Sequence, residues 1–206
     1  AANCTIDLRS GEALDHSPAH RLTRGIDVTY DPEAQCPQWL KFLDDITCGR
    51  QELVDFLQVL IGYGITGHTK EQVLAVFHGT GANGKSVFLN VLRSIFDDVT
   101  GVAPFTAFEK KTGNAGTSDI AAIAHARLVF ASEGERNAPM AEALIKRLTG
   151  SDPVSAAHKY RDHFAFQPQW LLILATNYRP AIASQDHGIW RRMILVPFEA
   201  HFDGAA

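Results

Sequence analysis

Cysteine is scarce. The three present, at positions 4, 36 and 48 of 206 residues, form no C-x-x-C pair, so neither a disulfide frame nor a thiolate zinc site is available. Their pattern reads as reduced thiols of a cytosolic protein. Nine histidines are scattered through the chain, and none belongs to an H-E-x-x-H pair. An excess of positive charge is also missing: 19 Lys and Arg stand against 23 Asp and Glu, a net charge of −4. A general basic coat for nucleic acid is thereby excluded, and any such contact must be local. No apolar run approaches the length of a membrane span, and no signal peptide, internal repeat or low-complexity tract is visible. The first residue is Ala, and Asp203-Gly204-Ala205-Ala206 follows closely on a strand pattern. A fragment of a longer protein is therefore expected. What remains is a globular composition, 46% hydrophobic and 20% charged, suited to one substantial domain with a small appendage.

The most informative segment is Gly79-Thr80-Gly81-Ala82-Asn83-Gly84-Lys85-Ser86, which fits G-x-x-x-x-G-K-[ST] at every fixed position. A chain of this length meets that pattern by chance roughly once in a hundred times. Its flanks also fit. Val73-Leu74-Ala75-Val76-Phe77 reads as a buried strand, and Val87 to Phe96 carries apolar residues at helical spacing. A strand–glycine loop–helix unit directs successive backbone N–H groups and a helix N-terminus at one point, a site for polyphosphate. Glycine is required where a Cβ would block the loop's φ/ψ values and its approach to phosphate. In this reading Lys85 reaches the β- and γ-phosphates of ATP, and the Ser86 hydroxyl binds Mg²⁺. The plain alternative is an ordinary glycine-rich loop.

Residues 1–35 read as irregular, with short extended pieces at Thr5–Leu8 and Gly25–Tyr30. Pro37 opens a helix that Gly49 closes, and a second helix is expected from about Gln51 to Ile61, stopping at Gly62 and Gly64. After residue 73, strands are expected near Val102–Phe105, Ala126–Ser132, Trp170–Thr176 and Met193–Phe198. Short apolar runs alternating with helices predict an α/β fold with a mostly parallel sheet covered on both faces. The organisation expected is an N-terminal extended and helical segment, 1–70, followed by a nucleotide-binding core, 71–206.

Four further constellations carry possible chemistry. Leu128 to Ser132 is an apolar strand that delivers Glu133 at its C-terminal end, the edge where α/β sheets bind ligands. Glu133 is the candidate to activate water and support Mg²⁺, with Glu135 as substitute; many buried strands end in an acid for no such reason. Leu171 to Thr176 ends likewise in Asn177, either a sensor of the γ-phosphate and lytic water or simply the opener of a turn towards Pro180. Arg191 and Arg192 precede the last strand, as arginine fingers aimed at a neighbour's nucleotide or as solvated surface residues, with Arg192 preferred. The stretch from Val154 to Phe166 could form a β-hairpin with His158, Lys159, Tyr160 and Arg161 near its tip. Cations flanking an aromatic suit a nucleic-acid backbone, although a solvated charged loop is the default.

As an ordered set these segments resemble the superfamily 3 helicases, AAA+-type motors of small viruses, phages and plasmids. The branch most similar is the C-terminal ATPase of phage and plasmid primase-helicases. Gly79–Ser86 looks like Walker A, Ala131-Ser132-Glu133 like Walker B, Leu148 through Phe166 like motif B′, Ala175-Thr176-Asn177 like motif C, and Trp190-Arg191-Arg192 like the arginine-finger region. Many members carry two adjacent acids in Walker B; Ser132 occupies the first of those positions here.

The resemblance implies a P-loop NTPase that works as a ring, usually a hexamer, in the cytoplasm of a bacterial host, with no membrane association. ATP and Mg²⁺ would lie between subunits. Lys85, Ser86, Glu133 and Asn177 would come from one subunit, and Arg192 or Arg191 from the next. Lys146, on the helix before the hairpin, would contact nucleotide across the interface. Lys159, with His158 and Arg161, would grip DNA in the central pore. Two rivals stand beside this DNA helicase: a P-loop kinase of a small molecule, and an assembly module that binds nucleotide and DNA without productive hydrolysis.

Overall fold

A computed structural model describes residues 1–109, 117–132, 139–178 and 186–203. The chain begins with a short antiparallel pair, β1 (Thr5–Ile6) and β2 (Ala13–Leu14), followed by α1 (Pro37–Thr47) and α2 (Gln51–Thr66). The core then runs β3 (Leu74–His78), α3 (Lys85–Ile95), β4 (Thr100–Pro104), α4 (Ser118–Ala122), β5 (Leu128–Ser132) and α5 (Glu142–Leu148). An antiparallel hairpin of β6 (Val154–Ala156) and β7 (Phe164–Phe166) leads to β8 (Leu171–Thr176), α6 (His187–Trp190) and β9 (Met193–Pro197).

Five strands form one sheet in the order β4-β5-β8-β3-β9, and every pairing within it is parallel. The three inner strands β5, β8 and β3 read as unbroken apolar runs because each supplies two cores, whereas the edge strands β4 and β9 leave Val102 and Leu195 exposed. Ala75 and Phe77 of β3, Leu128 and Phe130 of β5, and Leu171 and Ile173 of β8 pack with α1, α2 and α3. Their alternates Leu74, Val76, Val129, Ala131, Leu172 and Leu174 pack with α4, α5, α6 and the hairpin. The expected α/β class, the mainly parallel sheet and its cover on both faces are thus present.

Pro37 occupies the first turn of α1, and Cys48 and Gly49 close it with φ of 55° and 74°. The sequence misplaces the end of α2. Gly62 and Gly64 do not stop this helix, which continues to Thr66 and ends at Gly67, with φ 74°. A Cβ on Gly64 would collide with Leu128 and Leu171, so this glycine is there to bring the helix close to the sheet. The packing gained outweighs the cost of about 1 kcal/mol for a glycine inside a helix. Gly25–Tyr30 forms no strand. It is tied down instead by Ala2 N donating to Val28 O, by both amide atoms of Asn3 on Tyr30, and by Arg24 on Asp98.

Candidate functional site

β3 lies in the sheet interior between β8 and β9 and ends at His78, where the chain turns into the glycine loop. The turn is set by contacts that exclude side chains. A Cβ on Gly79 would strike the carbonyl of Phe198, and one on Gly84 would strike Ile46 of α1. Gly81 and Gly84 have φ of 102° and 84°, and Ala82 between them is also left-handed at 46°. The segment after β9 is laced to the loop. Phe198 N donates to His78 O at 2.8 Å, Asn83 Nδ2 to Phe198 O at 3.2 Å, and Phe202 N to Ala82 O at 2.7 Å. Beneath the loop, Trp39 stacks between Phe42 and Phe88.

Lys85 opens α3, and its side chain is 6% exposed. Its ammonium donates to Gly79 O at 2.8 Å, Asn83 Oδ1 at 3.1 Å and Asn177 Oδ1 at 3.3 Å. Asn177 follows directly on β8, the strand paired with β3, so parallel register delivers both residues to one edge of the sheet. Above them lies an open hollow of about 400 Å³ lined by Gly81, Gly84, Lys85, Ser86, Thr176 and Asn177. The N-cap of α3 is Gly84, which has no side chain to offer the first N–H groups of the helix. Ser86 is exposed at the same place. A concave, positively polarised cradle with a buried ammonium at its base is suited to a polyanion.

The residues fit Mg²⁺-ATP on this structure's own terms. The hollow falls within the range of small-ligand sites, about 300–1,000 Å³. Glycine at two of the left-handed positions, 81 and 84, keeps a Cβ out of those turns, and a hydroxyl stands next to the lysine. Among the described residues no group of three His, Cys, Asp or Glu could hold a metal ion by itself. Glu133, proposed to activate water, lies outside the described residues, as do Glu135 and the side chain of Ser132.

The paired arginines sit at the opposite edge of the sheet. Leu74 N, at the start of β3, donates to Arg192 O at 2.7 Å, placing Arg191 and Arg192 a full strand, about 15 Å, from Lys85. Arg192 is 9% exposed and bonds Gly188 O and Gln72 Oε1, while Arg191 is exposed and shares that same Gln72 oxygen. Burial, then the charge of Arg191, pushes the Arg192 guanidinium below its ordinary value, opposed by Asp186. Lys146, in the last turn of α5, pairs with Asp186, the N-cap of α6. The Lys146 ammonium first, then Gly188 N–H, hold the Asp186 carboxyl below its ordinary value. Lys146 and the arginines thus share one cluster.

The hairpin expected between Val154 and Phe166 is present, with His158, Lys159 and Arg161 exposed in its loop. Sequence reasoning missed Gln72 and Asp186, as well as the side-chain role of Asn83. Asp186 had a readable signal, an N-cap residue whose carboxylate accepts from Gly188 N. Asn83 occupies a variable position of the loop pattern, and nothing marked Gln72.

These features define a parallel α/β domain with an anion cradle at the carboxyl edge of its sheet. A profile described as D5 N terminal like matches residues 1–48. Among relatives, a protein named "Putative helicase" from Acanthamoeba polyphaga mimivirus is 27% identical over 72% of this chain and 16% of its own length. One of the same description from Invertebrate iridescent virus 6 is 25% identical over 90% of this chain and 20% of its own. The chain therefore spans a fifth or less of these relatives. The apo structure of the NrS-1 C terminal region shares the fold, with a TM-score of 0.61 and 13% identity over 96% of this chain and 44% of that one. The chain belongs to the family of unknown function designated DUF5906, whose profile covers residues 77–192. Among the described residues no helix is long and apolar enough to cross a membrane.

Proposed function

We propose that this chain is the ATPase core of a replicative DNA helicase, a superfamily 3 motor in a primase-helicase of a virus or mobile element. The observation that carries the reading is the buried Lys85 ammonium at the base of the Gly79–Ser86 cradle, in contact with Asn177 from the adjacent parallel strand. Helicase-named viral relatives support it, as does the fold shared with the NrS-1 C terminal region.

The N–H groups of the loop and of the first turn of α3 hold the phosphates of ATP. Lys85 redirects its N–H donors from Gly79 O and the two asparagine oxygens to the β- and γ-phosphate oxygens and stabilises their charge as the terminal phosphoryl group departs. Ser86 through its hydroxyl, with Glu133, would hold Mg²⁺, which would neutralise phosphate charge when bound. Released from Lys85, the Asn177 amide orients the water that attacks the γ-phosphorus, and Glu133 takes its proton. Arg191 and Arg192 lie at the far edge of the sheet and cannot reach their own chain's cradle. They serve a neighbouring copy in a ring, together with Lys146. Lys159, His158 and Arg161 hold DNA phosphates from the hairpin tip.

Lys85→Ala should reduce ATP turnover at least about a hundredfold, the loss typical when one electrostatic donor to a transition state is removed. Undiminished turnover in purified protein would refute the assignment. Phosphorylated small-molecule product in place of free phosphate would identify a kinase, and nucleotide binding without turnover in the ring on DNA would identify a binding module.

A further inference from the structure

The tip of the hairpin is a four-residue turn closed by Arg161 N donating to His158 O at 3.0 Å, with Lys159 and Tyr160 as its central pair. Tyr160 has a φ of 64°, while Lys159 keeps a negative value. A positive φ at the third residue of a turn is the place of glycine or asparagine, because a Cβ there crowds the following carbonyl. A bulky residue in that conformation is an outlier that demands a reason. Burial does not supply it. Tyr160 is 93% exposed, the most exposed of the large hydrophobic residues described.

The surroundings of the ring narrow the reason. Lys159 Nζ stands over the Tyr160 ring, 5.1 Å from its centroid, a cation–π contact. Arg161 is exposed on the other side in sequence. His158 is stacked on Phe164 at 5.7 Å, and Phe164 leads through Phe166 to buried Trp170, so the tip is braced from the core. The strained aromatic is therefore held out on a stiffened hairpin, flanked in sequence by two cations, with Lys159 against its ring and most of its surface open. Phosphate contacts need the cations and have no use for the ring. A flat, exposed π-face beside cations fits an unpaired nucleobase.

We infer that Tyr160 is a stacking platform for a nucleobase, so that the hairpin takes single-stranded nucleic acid by its bases as well as its phosphates. This rests on the hairpin reading proposed above and adds to it a base-dependent component. Lys159 and Arg161 supply attraction that any polyphosphate strand would satisfy; Tyr160 requires a base free of its own stack.

The test uses residues 1–206, low salt and fluorescence anisotropy with two end-labelled oligomers of equal length and charge. One carries thymine at every position, and the other is an abasic sugar-phosphate chain. The unaltered chain should bind the thymine oligomer on the order of tenfold more tightly. Tyr160→Ala should erase that preference and leave affinity for the abasic oligomer unchanged, whereas Tyr160→Trp should keep the preference. Lys159→Ala should weaken both. Equal affinity of the unaltered chain for the two oligomers, or a preference that survives in Tyr160→Ala, overturns the stacking role alone. Failure to bind either oligomer, or binding indifferent to Lys159→Ala, removes the DNA-binding hairpin and the stacking role with it.

Discussion

The glycine loop and the hairpin tip each place a lysine beside a left-handed residue, yet they are built on opposite plans. At the loop, Lys85 is buried and held by Gly79 O, Asn83 and Asn177. Strain is avoided there by glycine at two of the three left-handed positions. At the tip, Lys159 is exposed, and a tyrosine sits where glycine would cost nothing. The first site is shaped by backbone and the second by side chains. A backbone cradle suits a ligand whose phosphates are always the same. An exposed ring and exposed cations suit a polymer that must be released and grasped again.

Mutations can break this contrast at its strongest point first. Gly84→Ala adds a Cβ against Ile46 and forces an L-residue to φ 84°, an expected loss of about 2–4 kcal/mol in a urea titration. Gly81→Ala meets open space and should lose about 1–2 kcal/mol, from its φ of 102° alone. Equal losses at the two positions would show that fit against α1 does not shape the loop. At the tip the sign should invert: Tyr160→Gly relieves strain and should stabilise the fold by up to about 1 kcal/mol, less the entropy that glycine adds to the unfolded chain. Lower stability would mean that the tyrosine is not strained.

The smallest effect concerns the opposite edge of the sheet. The Asp186 carboxyl is held below its ordinary 3.8 by Lys146 and Gly188 N–H. Its contribution is therefore complete above about pH 4 and fades as pH falls through the lowered value. Asp186→Asn should flatten the acid limb of a melting-temperature profile and leave the limb near neutrality parallel to that of the unaltered chain.

The sequence spoke most clearly where one physical demand fixed one residue type. The inner strands of the sheet were legible because burial on both faces forces unbroken apolar runs, as in Leu171–Ala175. The cradle was legible because left-handed φ and close approach force glycine. Gly64 misled for the same reason, since a glycine needed for close packing against Leu128 and Leu171 looks like one that ends a helix. Gln72 was silent because its role exists only once Arg191 and Arg192 arrive from 120 residues away in the chain. Asn83 belongs to the loop pattern, but its tie to Phe198 O crosses 115 residues and leaves no local trace.

The placement of β3 has a mechanical consequence. Its first amide is bonded to Arg192, its last carbonyl receives Phe198 N, and the cradle begins one residue later. Between those ends Ala75, Val76 and Phe77 are fully enclosed, in material as dense as a molecular crystal. Such a strut has no slack. A displacement of the loop would therefore be passed along β3 towards the arginine edge rather than absorbed by loose packing.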